Sequence, residues 1–148
     1  MAEEKPKRTE QAAPYPLAMI VCDAIVKDPS TQKATLFGCF SAIAARAFPA
    51  VQPIFCVYAV MTDGHGKMPL KLRLVDADEA RAPIFEVDGE ANFNEPRSVL
   101  EVSFLIQNVV FPEPGEYRLQ LYAAGQHMIE RRIVLIGPPE APAGGENG

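Results

Sequence analysis

Apolar and polar residues alternate along much of the second half of the chain. The clearest case is the run in which Leu70, Leu72 and Leu74 alternate with Lys71 and Arg73. Successive side chains of a β-strand point to opposite faces, so a period of two predicts a strand with one buried and one solvated face. The same period recurs in four further segments, at 85–93, 100–106, 117–121 and 129–135.

Eight segments of about eight to twelve residues make up the middle of the chain, each rich in Val, Ile, Leu, Phe or Tyr and separated by turn residues. None has the length and period of a helix, and a parallel sheet would need crossover helices. The sequence therefore predicts one all-β domain over 16–136, an antiparallel β-sandwich of about eight strands. The flanking 1–15 and 137–148 lack apolar periodicity and are predicted to be disordered tails.

The first three segments differ from the rest because both of their alternating faces are apolar. The first two, at 17–27 and 34–44, are predicted to form a hairpin through the polar connector 28–33. A sandwich strand normally keeps one polar face, so something should cover the second face of these strands. The connector 45–52 or a folded-back tail is one candidate cover, and a partner or a second copy is the other. The residues predicted to form such an interface are Met19, Val21, Ile25, Phe55, Val57 and Met61.

Composition narrows the classes of partner. The chain has 148 residues, enough for one domain with a sizeable core, and a formal net charge of -5. A negative protein is repelled by nucleic acid and by anionic lipid, so neither is expected as a partner. The first apolar run, 17–26, is too short to span a membrane, and the charged 1–16 lacks the apolar region of a secretory signal. We therefore expect a cytoplasmic protein.

Three cysteines, Cys22, Cys39 and Cys56, follow one another at an equal spacing of 17 residues. They lack the CxxC or Cys/His spacing of zinc sites, and an odd number of thiols with apolar neighbours suits a reducing compartment. The spacing indicates three successive strands of similar length, each with one small buried residue. Buried thiols of this kind are inert, and no cofactor is predicted.

An acidic row, Glu86, Asp88 and Glu90, is the densest charge feature of the chain. Calcium prefers several oxygen ligands, but alternate side chains of a strand lie nearly 7 Å apart by the rise of ~3.3 Å per residue. The row is therefore interpreted either as a cation site completed by loop ligands or as a solvated face. In the second case it pairs across the strands with basic residues: Lys71, Arg73 and Arg118.

The segment 111–119, FPEPGEYRL, resembles the tyrosine corner of immunoglobulin and fibronectin-like sandwiches, with Tyr117 as the corner residue. The resemblance implies an immunoglobulin-like sandwich in which the Tyr117 hydroxyl bonds to upstream backbone. Leu119 stands where antibody domains have a cysteine, and the chain has no tryptophan, so it is no antibody-type domain. The stretch from CDAIVKDPSTQKATLFGCFS to FPEPGEYRLQLYAAGQ also resembles a family of small uncharacterised bacterial proteins with a domain of unknown function.

These observations favour a non-catalytic interaction or scaffold module that self-associates or docks a protein partner through its N-terminal sheet. The alternative is a sandwich that binds a small ligand or a carbohydrate through loop residues, namely Asp63, His65, Asn92, Asn94 and Arg97. An enzyme is not expected. His65 and His127 each lie in a hairpin turn, and no nucleophile has an oriented base beside it.

Overall fold

The computed structural model describes residues 13–139, which form ten β-strands and no helix. The all-β class predicted from the alternation is confirmed, and none of these residues belongs to a helix able to cross a membrane. The strands are β1 (Tyr15–Cys22), β2 (Ala24–Lys27), β3 (Ala34–Phe37), β4 (Ala42–Ala44), β5 (Ala50–Thr62), β6 (Gly66–Asp76), β7 (Phe85–Phe93), β8 (Leu100–Phe111), β9 (Gly115–Ala123) and β10 (Gln126–Ile136). Of the tails predicted at 1–15 and 137–148, residues 1–12 and 140–148 lie outside the described residues, whereas Tyr15 is the first residue of β1.

The strands form two larger sheets and one hairpin. The three-stranded sheet has the order β1-β5-β8, and the five-stranded sheet has the order β4-β10-β9-β6-β7. Strands β2 and β3 pair only with each other. All pairs are antiparallel except β4 with β10, which run parallel.

The first two apolar segments each break into two strands, which raises the strand number above the eight expected. The break in the first segment is Asp23, whose backbone N–H donates to the carbonyls of Phe37 and Gly38 instead of continuing the β1 ladder. The second segment breaks after Phe37, where Gly38 has a φ of +66°. The predicted hairpin therefore exists only as β2–β3, because β1 pairs with β5 and β4 pairs with β10.

A single hydrophobic core receives side chains from both larger sheets. The leucines of the alternating β6 run, Leu70, Leu72 and Leu74, are at most 1% exposed and point into it, as the pattern predicted. Each fully buried side chain of this size stabilises the fold by roughly 1.5–3 kcal/mol. Phe55 is the aromatic centre of the three-stranded side and packs against Phe111 at a ring distance of 6.5 Å.

The core also contains most of the residues that the sequence placed at an interface. Five of the six are at most 5% exposed and belong to the core, namely Met19, Val21, Phe55, Val57 and Met61. Ile25 is half-buried on β2. The choice of face is therefore corrected: both faces of β1 and β5 are apolar, so alternation could not tell which one turned inward.

The second apolar face of the three-stranded sheet is covered in part by the hairpin β2–β3. Half-buried Ile25 and Leu36 are register partners on the side of the hairpin that faces the sheet. Lys27 Nζ lies 3.8 Å from Glu101 Oε1 on β8, and the Cys56 thiol lies 3.6 Å from the Asp23 carbonyl oxygen. A segment of the chain thus provides a cover, although it is a different segment from the connector 45–52 considered above.

Tyr117, at the start of β9, is 2% exposed. Its hydroxyl donates a hydrogen bond of 2.6 Å to the carbonyl oxygen of Glu113 and accepts one of 3.3 Å from the N–H of the same residue. The ring packs edge-on against Phe111 with centroids 5.0 Å apart. Burial raises the pKa of the Tyr117 hydroxyl, so it acts as a neutral hydrogen-bonding group that ties β9 to the end of β8.

Candidate interaction surface

The outer face of the three-stranded sheet is built from cross-strand rows that the register defines. The outward residues of β1 and β5 are mostly apolar, whereas those of β8 are mixed. From the hairpin end the rows are Cys22–Cys56–Leu105, Ile20–Tyr58–Ser103 and Ala18–Val60–Glu101. The hairpin covers the first row on the β1 side and leaves the β8 side open, because Leu105 is 62% exposed.

An open groove of about 470 Å³ runs between the hairpin and β8. Ile25 forms one wall, Ile54 and Cys56 form the floor, and Leu105 stands at the other wall. Beyond it, Val51 and Val110 face each other across β5 and β8 with exposures of 55% and 46%. Apolar side chains therefore continue along the outer side of these two strands, a distribution typical of contact surfaces.

Strand β8 also lies at the edge of its sheet. It has twelve residues, and no strand within 13–139 pairs with its second edge. Its only charged residue is Glu101. Edge strands usually carry charges, are short or are covered, because free backbone N–H and C=O groups invite pairing with another chain.

The other three edges of the two larger sheets are each protected in one of these ways. The edge of β1 is occupied, since Arg131 donates to the Met19 carbonyl at 2.9 Å and Phe40 N–H donates to the Val21 carbonyl at 3.0 Å. Strand β4 has only three residues. Strand β7 carries the acidic row on its outward face. We name the β8 edge together with Val51, Ile54, Leu105 and Val110 the β8 surface.

The acidic row on β7 takes part in cross-strand ion pairs. Lys71 Nζ lies 3.1 Å from Asp88 Oδ1 and 4.0 Å from Glu86, and Arg73 lies 3.7 Å from Glu86. The pairing predicted with Lys71 and Arg73 is confirmed. Arg118 makes its ion pairs elsewhere, with Glu116 and Glu130. Among residues 13–139, no three His, Cys, Asp or Glu residues are grouped so that they could hold a metal ion.

A second polar cluster lies on β9 and β10 around Glu130. Gln120 is 3% exposed and donates to Glu130 Oε1 at 2.9 Å, and His127 Nε2 lies 3.3 Å from the same oxygen. The Gln120 hydrogen bond, followed by His127 and Arg118, holds the pKa of Glu130 below its ordinary value. His127 also stacks edge-on against Tyr122, 5.3 Å between ring centroids, so its contacts are those of a residue in the last hairpin.

The loop residues of the ligand-binding alternative lie at one end of the molecule. Asp63 N–H donates to the Pro96 carbonyl at 2.8 Å, and the Thr62 hydroxyl donates to the Ser98 carbonyl at 2.9 Å. These bonds place the turn that contains Asp63 and His65 against the loop that contains Asn94 and Arg97. Asn92 lies within β7 as the register partner of Lys67. The two loops are therefore neighbours, joined by a backbone hydrogen bond and by one from the Thr62 hydroxyl.

The three cysteines do not share one environment. Cys22 and Cys56 are buried, and burial is the main cause that raises the pKa of both thiols. Cys39 is exposed and lies between β3 and β4, so the expectation that it is buried within a strand is wrong.

The open edge of β8 is the feature that sequence reasoning missed. A partial signal was present, because LEVSFLIQNVVF is long, carries a single acid and contains no proline. The strand order of the sheet decides whether such a strand is central or at an edge, and a local sequence pattern does not show the strand order.

The model of a family of unknown function, DUF6941, matches residues 17–136. No curated protein matches the chain. The matched region begins inside β1 and ends with β10, so it includes every strand of both sheets.

Proposed function

Since the chain belongs to the DUF6941 family of unknown function, we propose a role from its surfaces: a non-catalytic interaction module that docks a protein through the β8 surface. The partner is a second copy of the chain or another protein that presents an extended segment. The proposed docking surface is the outer face and edge of the three-stranded sheet. It replaces the interface expected from the sequence, whose residues lie mostly in the core.

The observation that carries this proposal is the unprotected edge of β8 within the described part of the chain. An extended segment that pairs with an edge strand gains main-chain hydrogen bonds, and pockets beside the strand select its side chains. Leu105 and Val110 flank that edge on the outer face, and the groove next to Ile54 is of a size to accept an apolar side chain. Backbone pairing and apolar contact are thus available at one place.

The proposal includes the architecture that would hold this surface rigid, an immunoglobulin-like sandwich of the two larger sheets. Its support is the common core and the Tyr117 hydroxyl, which bonds to the backbone of Glu113 four residues upstream. That is the contact expected of a tyrosine corner. Strand β4 pairs in parallel with β10, so one edge of the five-stranded sheet is formed by a strand of only three residues.

The test is the oligomeric state and partner retention of two matched variants. Leu105→Glu places a charge on the β8 surface, and Ile136→Glu places one at a residue of similar exposure, 50%, at the end of β10. Light scattering after size-exclusion chromatography, over a wide range of concentration, and a pull-down should show association in the wild type and in Ile136→Glu. Leu105→Glu should lose it. A wild type that stays monomeric and retains no partner, or equal binding by both variants, would overturn the proposal.

A further inference from the structure

Two of the three cysteines face each other across a pair of backbone hydrogen bonds. Asp23 N–H donates to the Gly38 carbonyl at 3.1 Å, and Phe40 N–H donates to the Val21 carbonyl at 3.0 Å. These bonds flank Cys22 and Cys39 on both sides. They have the pattern of a non-hydrogen-bonded antiparallel pair, in which Cα atoms are about 4.5 Å apart and the side chains are close.

That geometry is compatible with a disulfide. Bridged cysteines have Cα atoms about 4.4–6.8 Å apart, and the pair spacing falls within this range. Gly38 makes the close approach possible, because a Cβ at this position would overlap the Asp23 carboxylate. Its φ of +66° also favours glycine. The segment that carries Cys39 is therefore held against the end of β1 by contacts that only this sequence allows.

Cys56 is the register partner of Cys22 on the other side of β1, but the pairing differs. The N–H and C=O of one strand residue point to the same edge. Since the bonds of the neighbouring Val21 and Asp23 point toward the Cys39 segment, those of Cys22 point toward β5. Cys22 and Cys56 therefore have the spacing of a hydrogen-bonded pair, about 5.5 Å between Cα atoms, which also falls within the disulfide range, so accessibility is what distinguishes the two pairs. Cys56 is also buried, whereas Cys39 is exposed.

We propose that Cys39 is a site of oxidation by peroxide and that Cys22 resolves it to a Cys22–Cys39 disulfide. In the first step one peroxide oxygen is transferred to the Cys39 sulfur, which gives a sulfenic acid and releases water. In the second step the Cys22 sulfur attacks the Cys39 sulfur, the S–S bond forms and the S–O bond breaks. The oxygen leaves as water with the proton of the Cys22 thiol, so two electrons pass from the thiols to the peroxide.

The disulfide would close a loop that contains the whole β2–β3 hairpin. One thiol is accessible to the oxidant and the other is enclosed beside it, so the exposed one reacts first. Cys22 thus lies between Cys39 on one side and Cys56 on the other. The proposal does not depend on docking at the β8 surface.

The test uses the full chain treated with hydrogen peroxide, then unfolded, alkylated and mapped by mass spectrometry. The wild type should lose two alkylatable thiols and yield one peptide pair linked through Cys22 and Cys39. Cys56→Ser should give the same link. Cys39→Ser should keep both remaining thiols free at the same dose of peroxide.

Three results would overturn the inference. They are a Cys22–Cys56 link in the wild type, a Cys39 that accumulates as sulfinic acid while Cys22 stays alkylatable, and a disulfide that joins two chains. In Cys56→Ser and Cys39→Ser a hydroxyl replaces one thiol, and circular dichroism before oxidation checks that both variants are folded.

Discussion

The outer faces of the two larger sheets follow opposite rules. On the five-stranded sheet, outward residues are charged or polar and pair across strands, as Lys71 does with Asp88 and Gln120 with Glu130. On the three-stranded sheet, outward residues such as Ile20, Tyr58 and Leu105 are largely apolar. The outer face of the five-stranded sheet is therefore mostly polar, whereas that of the three-stranded sheet is mostly apolar and is covered in part by the hairpin β2–β3.

The two sheets show two ways to accommodate an outer face: cross-strand ion pairs in contact with water, or cover by another segment of the chain. Ion pairs on the five-stranded sheet are exposed, and such pairs contribute little to stability, typically 0–1 kcal/mol each. They keep the face soluble and its edge strand β7 charged. The three-stranded sheet gains burial from the hairpin, but the cover leaves β8 exposed at Leu105, and this uncovered part is the surface proposed for docking.

The largest expected effect tests which face of the three-stranded sheet is inside. Phe55→Ala should lower the free energy of unfolding by about 3–5 kcal/mol, because Phe55 is fully buried. Leu105→Ala, on the neighbouring strand and facing outward, should change it by less than about 0.5 kcal/mol. Urea denaturation of both variants measures the two values. Similar losses from both would contradict the assignment of faces.

A smaller effect tests the hairpin as a cover. Ile25→Ala should cost roughly 1–2 kcal/mol, because its half-buried side chain lies against the sheet. Val26→Ala is the matched control, since the adjacent side chain is 52% exposed and points away from the sheet. Its cost should stay below about 0.5 kcal/mol. If Val26→Ala lowered the free energy of unfolding as much as Ile25→Ala, the hairpin would not pack on the sheet through its Ile25 side.

The next effect concerns the joint between the two sheets. Tyr117→Phe removes the hydroxyl that bonds to Glu113 and leaves the ring packed on Phe111. The expected loss is about 1 kcal/mol in the free energy of unfolding, the usual contribution of one hydrogen bond. Thermal or urea unfolding measures it, and an unchanged stability would show that the hydroxyl bond is not needed to hold the corner.

The smallest effect belongs to the polar face and depends on pH. The folded pKa of Glu130 is lowered by Gln120, His127 and Arg118, so the ionised form stabilises the fold above its unfolded pKa of about 4.3. That contribution is lost as pH falls through the lowered folded pKa. The stability gap between wild type and Glu130→Gln should therefore be present at neutral pH and shrink in acid. A gap that stays constant across this range would argue against the assigned contacts.

The two faces also explain how far sequence reasoning could reach. Where one face is polar, as in the alternation of Leu72 with Lys71 and Arg73, the pattern predicted the strand, its buried side and its ion pairs. Where both faces are apolar, as in β1 and β5, the pattern predicted a strand without an orientation, and the wrong side was chosen. When both sides of a strand are hydrophobic, the sequence pattern does not show which side is buried.

Other features depend on contacts that are distant in sequence. The break at Asp23 arises from hydrogen bonds to Phe37 and Gly38, which a run of apolar letters conceals. Cys39 was expected in a strand because its neighbours are apolar, yet the turn at Gly38 places it outside. Tyr117 could be found because its motif is local, and the bond to Glu113 spans only four residues.

The protection of three of the four edges of the two larger sheets has a consequence for assembly. Within the described residues β8 is the one unprotected edge of these two sheets, so they offer a single place for strand addition. Two copies that join edge to edge consume both open edges and form a closed pair, whereas an open edge on each side would allow a filament to grow. For the docking proposed above, the two larger sheets therefore give each chain a valence of one.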